Sequence, residues 1–116
     1  IISTESLTIS KMIMDKEHHL SKAISDATFN EILEQLEYKA KERGKYFYKI
    51  SPYYPSSQIC SVCNNIDKKY KNLDERMYEC NRCYSKLDRD FNASVNIMFE
   101  GLKLHIMAPM KNLSTR

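Results

Sequence analysis

Two Cys-x-x-Cys pairs, Cys60-Ser-Val-Cys63 and Cys80-Asn-Arg-Cys83, stand sixteen residues apart (64–79) and constrain this chain more than anything else in it. A tetrahedral metal takes soft thiolate ligands, and each Cys-x-x-Cys turn offers two of them from one tight knuckle. The stretch between the pairs is long enough for a hairpin that brings the knuckles face to face. The spacing therefore predicts a four-thiolate zinc ribbon made by Cys60, Cys63, Cys80 and Cys83. Two disulfides are disfavoured, because no secretory signal precedes the pairs. A redox dithiol and a rubredoxin-like iron site also use Cys-x-x-Cys pairs; two knuckles among basic residues favour zinc. With four protein ligands no coordination position stays open, so the metal is expected to be structural and not to activate water. Knuckles often carry Gly after the second Cys, where a positive φ is useful; here Asn64 and Tyr84 occupy those places. Asn tolerates that backbone fairly well, Tyr less readily.

Residues 56–87 hold few large aliphatic side chains, too few for an apolar core of their own, and a metal is the natural replacement. The whole chain has 116 residues, 42% of them hydrophobic, enough for one domain or a domain with a small satellite. No apolar run approaches a membrane span. A net charge of +3 and a pI near 8.6 are compatible with a nucleic-acid partner without demanding one. The chain opens on Ile1-Ile2 with neither an initiator Met nor a signal peptide's charged and apolar regions. The expectation is a C-terminal piece of a longer protein.

Outside the ribbon the pattern is α/β. Residues 1–4 read as a short strand ending at Glu5, and residues 6–19, with Met12, Ile13 and Met14, as a connection. From about Asp26 to Arg43, Phe29, Ile32, Leu33, Leu36 and Ala40 recur at spacings of three and four, which predicts a helix with one buried stripe. Thr28 with Glu31 has the spacing of a capping box, Asp26 is a second cap candidate, and Leu20 and Ile24 fit an earlier turn. Gly44, just past Lys41 and Arg43, suits the C-terminal stop. Residues 45–51 are rich in aromatic and β-branched types and read as a strand, ended by Pro52 and Pro55. Strand, helix, strand is one unit of a larger α/β sheet. Residues 88–104 read as a final helix, with Phe91, Val95, Met98 or Phe99, and Leu102 as its stripe. The expected division is 1–55 for the α/β part, 56–87 for the ribbon, 88–104 for the last helix and 105–116 for a frayed tail containing Pro109.

Asp88-Arg89-Asp90 opens that last helix. Acidic residues there cap the helix and complement its dipole, and this accounts for at least one of the two Asp. Glu5, at a strand end, is similarly ambiguous. Together the three carboxylates would suit Mg²⁺-assisted phosphodiester cleavage, provided that they converge from different elements. Lys68, Lys69, Lys71, Arg76 and Arg82 decorate the ribbon with Tyr70 and Tyr78 between them. That interleaving fits phosphate contact and base stacking, and equally a solvated surface. His18, His19 and His105 are not at ligand spacing with one another.

The stretches Leu36-Glu37-Tyr38-Lys39-Ala40, Tyr54-Pro55-Ser56-Ser57-Gln58-Ile59-Cys60-Ser61-Val62-Cys63 and Asp88-Arg89-Asp90-Phe91-Asn92-Ala93-Ser94-Val95-Asn96-Ile97, with Ser25-Asp26-Ala27 before them, resemble the C-terminal half of the OrfB/TnpB transposon-associated proteins, relatives of the type V CRISPR effectors. The likeness runs from about Ile1 to Phe99. It implies a partial RNase H-like (RuvC) unit with an inserted zinc ribbon, from an RNA-guided, Mg²⁺-dependent DNA endonuclease. By the same resemblance Glu5 and Asp90 match catalytic carboxylates, Asp88 is a weaker candidate, and the four Cys match the zinc ligands. DNA and a guide RNA are the implied partners, and the implied setting is the cytoplasm of a prokaryotic cell, or its mobile element or virus. The pattern departs from the family at Asn64 and Tyr84, which replace Gly, and at Asn92-Ala93-Ser94, which replaces Asn-Ala-Ala. The family's first catalytic Asp lies on an upstream strand with no counterpart here, so the chain alone is not expected to cut DNA. The competing readings are a zinc-ribbon module that binds nucleic acid without cutting it and, more distantly, a zinc-stabilised protein-interaction domain. An Asp on an apolar strand upstream of Ile1 separates the nuclease from the module.

Overall fold

The computed structural model describes residues 1–6, 19–71 and 74–114, in two units, Ile1–Pro52 and Tyr53–Arg116. The connection expected over residues 6–19, with Met12, Ile13, Met14 and His18, lies almost wholly outside the described residues.

In the first unit β1 (Ile2–Thr4) and β2 (Phe47–Lys49) pair in parallel, with Ile2 opposite Phe47 and Thr4 opposite Lys49. Parallel neighbours need a crossover, and α1 (His19–Glu42) supplies it. Flanking backbone bonds extend the ladder: the Ile2 amide donates to the Tyr46 carbonyl and the Ile50 amide to the Thr4 carbonyl. Leu33 and Ala40 on α1 and Ile50 after β2 are the buried apolar residues of this unit among the described residues.

Helix α1 starts earlier than the cap candidates suggested. Thr28 lies inside it and bonds back to the Ile24 carbonyl at 2.9 Å, so neither Thr28 nor Asp26 begins the helix. No Gly or Pro interrupts residues 19–26, and nothing stops the helix there. The expected stripe is also narrower in fact: Leu33 and Ala40 are buried, whereas Ile32 is 51% exposed. The C-terminus follows the predicted chemistry. Gly44 has φ +66°, its amide donates to the Lys41 carbonyl, and the Lys45 amide donates to the Ala40 carbonyl at 2.8 Å. These two bonds with a left-handed Gly are a Schellman stop.

The second unit is a ribbon joined directly to a helix. β3 (Met77–Glu79) and β4 (Lys86–Asp88) pair antiparallel with Tyr78 opposite Leu87, and the second Cys pair forms the turn between them. The first pair tips a shorter hairpin closed by the Ile59–Ile66 bridge. A 3₁₀ turn over Lys68–Lys71 links the hairpins, its start held by Asp67, whose carboxylate accepts from the Lys69 amide.

Two tyrosines fill the space where aliphatics are missing. Tyr70 and Tyr78 are buried together with Cys60 and Cys80, their ring centroids 4.4 Å apart. Each buried hydroxyl is satisfied: Tyr78 donates to the Gln58 carbonyl at 2.9 Å, and Tyr70 donates to the Glu79 carbonyl while accepting from the Glu79 amide. The expectation from sequence placed Tyr70 and Tyr78 among the surface bases; they are instead the core.

From β4 the chain enters α2 (Arg89–Ser114) without a loop. The helix runs well past the end expected near residue 104, so residues 105–114 are helical and not a frayed tail. His105-Ile106-Met107-Ala108 contains no breaker, and Pro109 disturbs the hydrogen-bond ladder without ending it. Its expected apolar stripe is not a core within the described residues: Phe91, Met98, Phe99 and Leu102 are exposed, while Asn92, Asn96 and Gly101 are buried. Among the described residues no helix is long and apolar enough to cross a membrane.

The Tyr78 site yields a graded prediction. Tyr78→Phe should cost about 1 kcal/mol, because the Gln58 carbonyl keeps the bond from the Asp67 amide. Tyr78→Ala should cost roughly 3–5 kcal/mol by opening a cavity beside two cysteines. Denaturant unfolding of the metal-loaded chain measures both.

Candidate metal centre

Each Cys pair folds into the same knuckle. The Cys60 amide donates to the Asn65 carbonyl at 2.8 Å, and the Asn64 amide donates to the Cys60 carbonyl at 2.8 Å. In the second pair Cys80 bonds to Ser85 and Tyr84 to Cys80 in the same way, both at 3.0 Å. Closing each knuckle needs a left-handed residue after its second Cys. Asn64 at φ 65° and Tyr84 at φ 63° are those residues. The positions that stand out in the sequence as unusual thus carry the backbone strain. An Asn65–Asn81 side-chain bond at 2.9 Å ties one knuckle to the other.

The result is one cluster. The four sulfur atoms lie within 4.8 Å of one another, Cys60 to Cys83 at 3.6 Å and Cys63 to Cys80 at 3.5 Å. Zinc–sulfur bonds of about 2.3 Å at tetrahedral angles place sulfurs about 3.8 Å apart. The four cysteines therefore fit a tetrahedral metal such as zinc, and no disulfide joins them. Backbone amides point at the ligands: those of Arg82 and Cys83 both reach Cys80 Sγ at 3.4 Å. The thiols differ in acidity. Burial pushes Cys60 up to about 12, against amide bonds from Cys63 and Val62. Hydrogen bonds from the Ser85 side chain and backbone hold Cys83 down at about 6. A metal must therefore displace a proton from Cys60, while Cys83 is ready as a thiolate near neutrality.

The neighbouring carboxylates have separate fates. Asp88 Oδ1 accepts from the amides of Asp90 (3.0 Å) and Phe91 (3.1 Å), which makes Asp88 the N-cap of α2. The Asp90 side chain makes no cap and is 87% exposed, with Arg89 Nη2 at 3.4 Å. Arg89 also donates to the Glu75 carbonyl at 3.1 Å. Arg76, Asp88, Arg89 and Asp90 line a cavity of about 250 Å³. Glu5 lies in the first unit, exposed just after β1. Among the ribbon bases, Lys68, Lys69 and Lys71 project from the 3₁₀ turn, Lys69 Nζ lying 5.4 Å from the Tyr70 ring centre; Arg76 precedes β3 and Arg82 sits in the second knuckle, and all five are exposed.

Sequence reasoning passed over Asn92 and Asn96. Asn92, 0% exposed, accepts from the Ser61 amide at 2.9 Å and donates to the Ile59 carbonyl at 2.7 Å. Asn96 Nδ2 donates to the Ser56 and Ile59 carbonyls at 2.9 and 2.8 Å. Their i, i+4 spacing on a helix, where Asn has low propensity, is the signal that could have found them.

The knuckle geometry sets expectations for metal loading and for stability. Zinc affinity, measured by chelator competition, should fall roughly tenfold or more per pH unit on acidification through the neutral range, because the metal must displace the proton of the buried Cys60 throughout it; Cys80→Ser should lose the metal and the ribbon fold together. Tyr84→Gly should stabilise the loaded chain by up to about 1 kcal/mol in thermal unfolding, since Gly relieves the positive φ and the Tyr ring, 83% exposed, gives up little burial.

Comparison with known proteins places this arrangement. Residues 29–97, which span the end of the first unit, the ribbon and the start of α2, match the model of the Cas12f1-like, TNB domain. The chain is 37% identical over 98 residues to a protein of Streptomyces pristinaespiralis named as an RNA-guided DNA endonuclease, a match covering 84% of this chain and 23% of that one. It is 31% identical over 91 residues to the CRISPR-associated endodeoxyribonuclease Cas12f1 of Sulfoacidibacillus thermotolerans, covering 78% of this chain and 21% of that one. The chain thus spans less than a quarter of the length of these relatives. With more than half its length and its whole cysteine cluster inside the matched region, the chain belongs to the Cas12f1-like TNB-domain family.

Proposed function

We propose that this chain is the C-terminal nuclease and zinc-ribbon portion of an RNA-guided DNA endonuclease. The observation that carries the reading is the division of labour at the start of α2. Asp88 is engaged in the cap, while the next carboxylate, Asp90, stands free of the cap beside Arg76 and Arg89. The chain's similarity to named RNA-guided nucleases supplies the chemical context.

In this reading the parallel strands and α1 belong to a RuvC-like, RNase H-type sheet, and Glu5 and Asp90 are its catalytic carboxylates. Their hard oxygen donors suit Mg²⁺, which when bound would acidify a water and stabilise the leaving oxygen. Asp90 is held by a helix whose first turn is fixed by Asp88, and the Arg76 and Arg89 guanidiniums offer positive charge for a phosphodiester. Zinc at the four cysteines is structural. DNA and a guide RNA are the partners: pairing supplies sequence recognition, and Lys68, Lys69, Lys71 and Arg82 contact backbone phosphates. The setting is a prokaryotic cytoplasm, or that of a mobile element or virus.

The exposure of all five bases also fits the second reading, a ribbon that binds nucleic acid without cutting it. Cleavage assays on the whole protein with its guide RNA separate the two. Asp90→Ala should slow cleavage on the order of 10²-fold or more with guide-dependent binding retained. Asp88→Ala should cost about 1 kcal/mol of stability and leave most of the cleavage. If Asp90→Ala cuts at the parental rate, the nuclease assignment fails and the binding module stands.

A further inference from the structure

The two knuckles are attached to α2 by different means. The second is covalently continuous with it: Cys83 leads through β4 into Arg89 with no intervening loop. The first knuckle is remote in sequence and is held by Asn92 and Asn96. The Ile59 carbonyl, immediately before Cys60, accepts from both carboxamides, at 2.7 and 2.8 Å. The Ser61 amide, immediately after Cys60, donates to Asn92 Oδ1 at 2.9 Å. The carboxamide pair thus brackets a metal ligand with bonds that water does not reach, since Asn92 and Asn96 are 0% and 3% exposed.

A metal that joins the knuckles therefore closes a ring: second knuckle, β4, first turns of α2, Asn92, first knuckle. Asp90 lies in that ring, two residues before Asn92. We infer that Asn92 is a positioning residue that couples occupancy of the cysteine cluster to the placement of Asp90. Its orientation is determined by chemistry, because the carboxamide oxygen must face the Ser61 amide and the NH₂ must face the Ile59 carbonyl. A hydrocarbon side chain at this position leaves the Ser61 amide without its partner and takes from the Ile59 carbonyl one of its two donors, Asn96 supplying the other. Without Asn92 the first knuckle keeps only the Asn96 bonds to α2, one turn further from Asp90, and loading the metal orders the first turn of the helix less. The link to the metal stands on the hydrogen bonds alone; the link to cleavage rests on the assignment of Asp90 made above.

The test compares Asn92→Ala with Tyr78→Phe, which weakens the ribbon without touching α2. In the zinc-loaded chain, zinc transfer to a chromogenic chelator and amide hydrogen exchange over residues 89–97 are measured. Asn92→Ala should release zinc about 10- to 100-fold faster and lose protection in α2, with Tyr78→Phe leaving α2 protection near that of the parent. In the whole protein with guide RNA, Asn92→Ala should slow cleavage while guide-dependent DNA binding is kept. If the Ala variant does not fold, Asn92→Ser, whose hydroxyl sits one bond closer to the backbone and does not span both partners, is read by the same measurements. Parental zinc release and α2 protection in the Asn92 variant overturn the proposal, as does equal loss of α2 protection in Tyr78→Phe. If Asp90→Ala still cleaves, the nuclease reading falls, and the zinc and exchange measurements still decide the coupling.

Discussion

The convergence of four sulfur atoms within 4.8 Å is the constraint on which the second unit depends. Its strands are three residues long, its buried apolar side chains among the described residues are two tyrosines and two of the cysteines, and neither hairpin would persist alone. A tetrahedral metal substitutes one strong centre for many weak contacts, because metal binding and folding are then the same event. The cost is local. Asn64 and Tyr84 are held left-handed so that backbone amides can close each knuckle around its sulfurs.

Around that centre, polar groups take the role usually given to hydrocarbon. Tyr70 and Tyr78 bury rings between the hairpins and aim hydroxyls at the Glu79 and Gln58 backbone. Asn92 and Asn96 dock α2 on the first knuckle by the same device. Such bonds demand direction as well as proximity, so they fix register where a smooth apolar contact would allow sliding. A small unit with little core gains specificity this way.

Asp88 and Asp90 show how sharply the surroundings of two carboxylates can differ along the backbone. They are two residues apart on one helix start, yet one accepts two amides and the other projects into solvent. Asp88, before the first helical position, faces the free amides, whereas Asp90, one residue into the helix beyond Arg89, is largely exposed. The cap occupies Asp88 and leaves the Asp90 carboxylate exposed, and the Asn pair ties the same helix to the cysteine cluster.

Local chemistry was written in the sequence. The Cys spacing specified the knuckles, Gly44 the end of α1, the Asp88 position a cap, and the left-handed sites at Asn64 and Tyr84 were recognisable because Gly was missing there. Each of these depends on residues within one or two turns of chain. Tertiary structure alone decided the rest. It put Tyr70 and Tyr78 inside, left Ile32 and the apolar stripe of α2 exposed among the described residues, and matched Asn92 and Asn96 to carbonyls 33 to 40 positions away. Periodicity reports which side chains share a face, but not what covers that face. An amide on a helix declares its partner only when the fold brings an unpaired carbonyl to it.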